Sequence, residues 1–394
     1  MKKFATLILT LSILFSACTT CFAESGRKSG AESANVDVSE NIEFDFDVDS
    51  AYLIEASTGS VLYAKNEFKA ASPASVTKVM TLLLVCEALA SGKYKLDDIV
   101  TVSANAASMG GSQVFLEEGE SISVEELIKS AVIASGNDAS VALAELTAGS
   151  EAAFVKMMNK RAAELGLNNT SFENATGLDD TTTKHYSCAS DIGKISRELI
   201  KHEIILKYSS TWQDSIRNGE FILTNTNRLV RYYDGCNGLK TGSTDKAGYC
   251  ISATAKRGNM QLIAVIMGAS TRDERNNAAR ALFDYAFANY SVYEAGGTML
   301  ESANVTGGVD NDVQLYSTPF SIVVEKDKIS SIEMIYDIPE KIVAPISKND
   351  VVGSIIYKIG DLQIGKSDIY ANNSVEKIQI QDLFIRILKR ISCG

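Results

Sequence analysis

Histidine is scarce in this chain: 394 residues contain only His185 and His202. There is no Cys-x-x-Cys pair either, so a zinc site is not expected, and neither a metal nor a cofactor is anticipated. Cysteine forms no framework. Cys18 and Cys21 fall in an N-terminal stretch that reads as a removable leader. The remaining Cys86, Cys188, Cys236, Cys250 and Cys393 are odd in number and scattered, which is not a disulfide pattern. Cys86 lies on an apolar helical run and is expected in the core. Basic residues are outnumbered, 38 against 49 acidic, for a net charge of −11, which argues against nucleic acid as the main partner. The apolar run Phe4–Phe15 is too short for a membrane anchor. Preceded by Met-Lys-Lys and followed by small residues ending at Ala23, it reads as a secretory leader over residues 1–23. Phe-Ser-Ala-Cys18 is a looser match to a lipoprotein processing site.

What is present is ordinary globular composition, 45% hydrophobic and 22% charged, in a chain long enough for two domains. Residues 24–43 are rich in Ser, Gly, Glu and Lys and read as a flexible linker. Ala51–Glu55 and Val61–Ala64 read as a short hairpin about Thr58-Gly59. A helix is expected from Ser75 to about Ala90. Ser123-x-x-Glu126 is a capping box opening another. Residues 151–165 read as a helix closed by Gly166, and a further helix follows Asp191. Gly110-Gly111-Ser112 reads as a mobile lip. Strand signals then dominate at Phe221, Tyr249–Ala255 and Gln261–Met267, the last two joined by Lys256-Arg-Gly-Asn, before a helix at 280–289. Strands at both ends with helices between imply one α/β domain, residues 44–290, whose sheet comes from distant parts of the chain. Regular strand-like runs near Val313, Phe320, Ile332, Val351 and Leu362 imply a small all-β domain over 291–377. Residues 378–394 read as an amphipathic helix. Apolar positions 383, 384, 387, 388 and 391 share a face, with Arg386, Lys389 and Arg390 opposite, a pattern suited to a membrane surface.

The chemistry centres on Ser75-Val-Thr-Lys78. Pro73 and the apolar run behind it mark a helix N-terminus, and residues three apart share a face. A lysine whose pKa is lowered by burial or a neighbouring cation can take the serine proton. Alone the pattern is weak, because a capping serine followed by a solvated lysine looks the same. Two further motifs follow. Ser135-Gly136-Asn137 offers a hydroxyl to relay a proton and an amide to hold a peptide carbonyl. Lys240-Thr241-Gly242, just before the Tyr249 strand, offers a cation and a hydroxyl for a carboxylate, with Gly242 allowing a close backbone approach.

In this order the three motifs match the set shared by penicillin-binding proteins and class A β-lactamases. The chain resembles the low-molecular-mass penicillin-binding proteins, the D-alanyl-D-alanine carboxypeptidases of serine peptidase family S11, from about Ala51 to Lys377. Thr58–Asn66, Ala74–Thr81, Asp234–Cys250 and Val343-Ala-Pro-Ile carry further resemblance. It implies a β-lactamase/transpeptidase-like fold: an antiparallel sheet flanked by helices, a helical subdomain and a β-rich C-terminal domain. It also implies export to the outer face of the cell membrane and a peptidoglycan pentapeptide ending in D-Ala-D-Ala as substrate, with β-lactams as covalent inhibitors. By resemblance, Ser75 is the nucleophile, Lys78 the base and Ser135 the proton relay. Asn137, Lys240, Thr241, Gly242 and Arg275 bind substrate, with Arg272 as the alternative register for the carboxylate-binding arginine. The oxyanion hole falls to the backbone N–H groups of Ser75 and of a residue near Thr244. His185 reads as structural. Two other readings stay open: a β-lactamase, since Glu164-Leu-Gly-Leu-Asn168 matches the Glu-x-x-Leu-Asn of class A enzymes, and a non-catalytic wall-binding scaffold.

Overall fold

The computed structural model describes residues 44–392. The expected leader at 1–23 and linker at 24–43, and Cys393, lie outside the described residues. The organising layer is a five-stranded antiparallel sheet in the order Val61–Lys65, Ser50–Glu55, Met260–Ala269, Gly248–Arg257, Cys236–Thr244. The two ends of the domain therefore meet in one sheet, as the strand pattern implied. The central strand Met260–Ala269 is apolar on both faces because both are covered. Ile263, Val265 and Met267 point into one core, and Leu262, Ala264 and Ile266 into the other.

The first core belongs to the helical side. Helix Lys78–Ala90 is buried nearly all round, from Val79 to Cys86, as an apolar helix inside a domain must be. Around it stand Val124–Val132, Asn137–Ala148, Glu151–Glu164 and Ala189–Leu199. The capping box forms as read, with the Ser123 hydroxyl and the Glu126 carboxylate each accepting from the other's backbone N–H. On the opposite face of the sheet, helix Arg272–Asn289 packs Ala278, Ala279, Leu282, Phe283 and Ala286 against the strands.

Two expected boundaries move. The helix anticipated at 280–289 begins eight residues earlier, because Thr271 caps it by accepting from Glu274 N–H at 3.1 Å. Thr271-x-x-Glu274 is a start signal the apolar periodicity hid. The helix anticipated from Ser75 begins as a 3₁₀ turn, Ala74–Thr77, and becomes an α-helix only at Lys78. Ala74 enters it with φ at 47°, and Val76 N–H bonds Pro73 O at 3.1 Å.

The C-terminal unit is all-β. Tyr290–Ala295 pairs with Phe320–Glu325. A six-stranded sheet runs Ile332–Asp337, Val351–Ile359, Leu362–Ala371, Asp312–Ser317, Met299–Thr306, Ile342–Val343. Its core holds Val313, Leu315, Ile355 and Ile369, with Phe320 stacked on Tyr357 at 4.0 Å between ring centres. Val323 reaches into the second core of the α/β unit beside Phe287 and Tyr290, which couples the two units. The terminal helix, expected over 378–394, runs Ile380–Ser392 among the described residues and so starts two residues later than read; residues 393–394 lie outside the described residues. Before it, Val375 pairs with Ile346, and Ile378 N–H bonds Gly307 O at 2.9 Å, so residues 375–378 belong to the β domain. The helix leaves Ile380, Leu383, Phe384, Ile387, Leu388 and Ile391 exposed. Among the described residues, no helix is long and apolar enough to cross a membrane.

Candidate active site

The 3₁₀ turn matters because side chains three apart eclipse in such a turn, where in an α-helix they are offset. Ser75 and Lys78 are thereby brought face to face, with Lys78 Nζ at 2.9 Å from Ser75 Oγ. Lys78 is wholly buried. Its other two partners are neutral oxygens, Asn137 Oδ1 at 2.6 Å and the Thr176 carbonyl at 2.9 Å. Burial holds its pKa well below the usual lysine range, and the Lys240 charge adds to the depression. Lys240, also wholly buried, is itself lowered to about 7 by burial and then by Arg275. Arg275 is lowered to about 10 by burial and then by Arg272. Three cations are thus set so that each disfavours charge on the next one inward.

Ser135 sits at φ 64°, a left-handed conformation uncommon outside glycine, and lines the same cleft as Ser75. Asn137 opens the next helix. Its amide bridges Lys78 and Gly110 O, to which Nδ2 donates at 2.7 Å, and its backbone N–H bonds Ser112 O at 2.7 Å. The Gly110–Ser112 segment, anticipated as a loose lip, is therefore tied to Asn137 at two points. The same Asn137 contacts join its amide to Lys78 on one side and to the Gly110 loop on the other. Buried Asp138 fixes the rest of that loop by accepting from Val114 and Leu116 N–H.

The strand Cys236–Thr244 forms the other wall. A side chain at Gly242 would come within 2.7 Å of Ser75 N and 2.8 Å of Val76 N, so only glycine lets this strand lie against the Ser75 turn. Lys240 Nζ donates to Thr241 O at 2.9 Å, and Thr241 Oγ1 bonds Thr226 Oγ1 at 2.8 Å. The buried Arg275 guanidinium donates to Asn276 Oδ1 at 3.0 Å, while Arg272 is exposed. Both line a cleft of about 610 Å³ with Ser75, Ser135, Thr241 and Gly242.

Several residues here escaped the sequence reading. Asp179 accepts from Ser72 Oγ and Thr244 Oγ1, each at 2.7 Å, and so clasps the two walls together. Gly177, at φ 86°, seats its loop so closely on the Ser75 turn that a side chain would fall 1.8 Å from Ala74 O. Thr176, the third partner of Lys78, comes with that loop. A glycine followed by an aspartate two residues on was the available signal, too common to act upon. Trp212, Thr226, Arg228 and Tyr232 complete the cleft.

Glu164, the residue behind the β-lactamase alternative, ends its helix in pairs with Arg161 and Lys160 and does not line the cleft. Among the described residues, no cluster of three or more His, Cys, Asp or Glu is placed to hold a metal ion. Cys86, Cys188, Cys236 and Cys250 are buried free thiols. His185 supports the turn from behind. Its Nδ1 accepts from Glu173 N–H at 3.0 Å, so Nε2 carries the proton toward Thr77 Oγ1 at 2.7 Å.

A cleft serine beside a buried lysine, a Ser-x-Asn loop and a Lys-Thr-Gly strand on a helix-flanked antiparallel sheet define a transpeptidase-like serine hydrolase fold. The family model described as D-alanyl-D-alanine carboxypeptidase matches residues 35–271, and that of the penicillin-binding protein 5 C-terminal domain matches residues 287–377. The chain is 42% identical to the D-alanyl-D-alanine carboxypeptidase DacF of Bacillus subtilis (strain 168), over 99% of this chain and 98% of that one. Penicillin-binding protein 5 from Haemophilus influenzae superposes with a TM-score of 0.75 at 31% identity, covering 85% of this chain and 99% of the other. Penicillin-binding protein D2 from Listeria monocytogenes, in an ampicillin-bound form, gives a TM-score of 0.58 at 30% identity over 62% of this chain and 99% of its own. The chain belongs to the D-alanyl-D-alanine carboxypeptidase family, serine peptidases of group S11.

The His185 geometry has a pH consequence. Burial lowers its pKa from 6.5 to about 4, so the folded ring stays neutral where the unfolded one is charged. As pH falls from 6.5 toward 4 the unfolded chain takes up the extra proton and stability drops, by about 1.4 kcal/mol per pH unit at most. In urea unfolding at pH 7 and pH 5, His185→Gln should shrink the stability difference by up to about 2 kcal/mol; an unchanged difference would contradict the neutral ring.

Proposed function

We propose that this protein is an exported serine D-Ala-D-Ala carboxypeptidase that removes the terminal D-alanine from peptidoglycan pentapeptides through an acyl-enzyme on Ser75, and that β-lactams acylate the same oxygen. One observation carries the reading: a fully buried lysine 2.9 Å from a cleft serine, with no carboxylate among its hydrogen-bond partners. As a neutral amine, Lys78 donates to Asn137 Oδ1 and Thr176 O and turns its lone pair to the Ser75 hydroxyl. The hydroxyl proton moves to Nζ as Oγ bonds the carbonyl carbon of the penultimate D-Ala. The backbone N–H of Ser75 and one near Thr244, where Ser243 lines the cleft, hold the resulting oxyanion. The C–N bond then breaks, and the proton passes through Ser135 to the departing amine. Water, activated by Lys78, splits the ester and restores the serine.

The substrate carboxylate takes part in this cycle. Lys240, with a pKa lowered to about 7, regains its full charge when an anion docks at Thr241 and Arg275. That charge in turn holds Lys78 neutral. The base is thus kept active in the complex that needs it.

The leader-like residues 1–23 support export, and the exposed apolar face of Ile380–Ser392 supports peripheral attachment to a membrane surface. Truncation after Ile378 keeps the Ile378–Gly307 bond and removes only the helix. The full chain should float with anionic lipid vesicles and the truncated chain should not; equal flotation would reject the anchor.

Mass spectrometry after benzylpenicillin treatment tests the chemistry. A long-lived penicilloyl adduct on Ser75 is expected, lost in Ser75→Ala along with D-Ala release, a fall of about 10⁴-fold or more. Rapid hydrolysis of the antibiotic would favour the β-lactamase reading. Wall binding with no D-Ala release would favour the scaffold.

A further inference from the structure

The cleft holds more cations than the proposed reaction uses. Arg228, Arg272 and Arg275 all line it, and its lining contains no aspartate or glutamate. Arginines that pair with acids lie elsewhere: Arg161 with Glu87, Arg217 with Glu120, Arg257 with Asp234. Among the described residues, none of the three cleft arginines has an acid within salt-bridge distance. In a chain of net charge −11, three unpaired guanidiniums around one cleft run against the overall balance. A departing D-alanine brings a single carboxylate, enough for buried Arg275 with Lys240 and Thr241.

The turn that carries Arg228 is held in place by the residues before it. Asn225 Nδ2 donates to the carbonyls of Ser209 and Thr211, both at 2.9 Å. Asn227 Nδ2 donates to Gly238 O at 2.7 Å. Thr226 N–H bonds Ile133 O at 3.1 Å, and Thr226 Oγ1 accepts from Thr241 Oγ1. The turn bearing Arg228 is therefore fastened to the strand that carries Lys240 and Thr241, at the end where the substrate terminus docks. Next to it, Arg231 stacks over Trp212 at 5.3 Å, and the Trp212 indole N–H is buried without an acceptor. The arginines and the Trp212 indole at this end are donors only.

We infer that Arg228, with Arg272, forms a second anion subsite that reads a further carboxylate on the departing amine. The enzyme would then select leaving groups that bear two acids. A free C-terminal residue with an acidic side chain and the acceptor stem of a cross-link both have this chemistry. The inference rests on the carboxypeptidase reading above. The bonds made and broken are those already described; only the leaving group differs. An exposed guanidinium–carboxylate pair of this kind favours the diacid by about fivefold, less at high salt, where exposed charges are screened.

The test is the release of the C-terminal residue from acetyl-capped peptides ending in D-Ala-D-Asp and D-Ala-D-Asn, two leaving groups of equal shape that differ by one charge. The ratio of their kcat/KM values should be about five and should fall toward one in Arg228→Gln and in Arg272→Gln. A general loss of activity leaves this ratio alone. A succinyl-capped peptide ending in D-Asn carries the same net charge with the extra acid at the far end. If it matches the D-Asp peptide, long-range attraction explains the preference and the subsite is rejected. Equal rates for D-Asp and D-Asn in the unaltered enzyme, or a ratio unmoved in Arg228→Gln, reject it too. A cross-linked stem dimer tells the two sources apart: turnover above that of the D-Asp peptide assigns the subsite to acceptor strands, and turnover below it to free termini. Failure to release D-alanine from a D-Ala-D-Ala peptide would instead overturn the carboxypeptidase reading.

Discussion

The contact between Lys78 and Ser75 is one the rest of the molecule is arranged to keep uncharged. An amine in a dry pocket loses its proton easily, but it also loses its grip unless its hydrogen bonds are met. Here two neutral acceptors, Asn137 Oδ1 and Thr176 O, satisfy the N–H groups without supplying the negative charge that would restore the proton. Lys240 supplies charge of the opposite effect, against a smaller pull from Asp138. Removing either acceptor would leave the amine unpaired, and placing an acid beside it would raise its pKa. Few arrangements meet both demands.

The fold supplies them from three separate places. The Ser75 turn comes from the N-terminal end of a buried helix, the Asn137 loop from the helical subdomain, and Lys240 from the edge strand of the sheet. Close approach is possible because glycine stands at the two tightest points, Gly242 against Ser75 N and Gly177 against Ala74 O. Asp179 then ties both walls through hydroxyls, and His185 braces Thr77 between Ser75 and Lys78. A substitution at any of these would act through geometry without touching the substrate.

Much of this was legible in the sequence, for identifiable reasons. Ser75, Lys78, Ser135, Lys240 and Gly242 lie in short contiguous motifs, and strong apolar periodicity marks the strands that carry them. The 3₁₀ start of the nucleophile helix was not legible, because it depends on Ala74 being pressed by a loop a hundred residues downstream. Thr176 and Asp179 were missed for the same reason: a backbone carbonyl and a lone aspartate carry no pattern. The early start of helix Arg272–Asn289 was hidden because its first turn carries charged residues, and Thr271 with Glu274 was its sole marker. Strand Met299–Thr306 was missed because it is largely exposed and lacks strong alternation. Asn137 was legible as a site residue, but its partners, Lys78 and Gly110, emerged only in three dimensions.

The most direct test is an NMR titration of the Lys78 side chain, with ¹³Cε and ¹⁵Nζ labels assigned through Lys78→Arg. A titration well below the ordinary lysine range is the expected result. A Lys78 that stays protonated through pH 9 and titrates near the ordinary lysine value of about 10.4 would contradict the account.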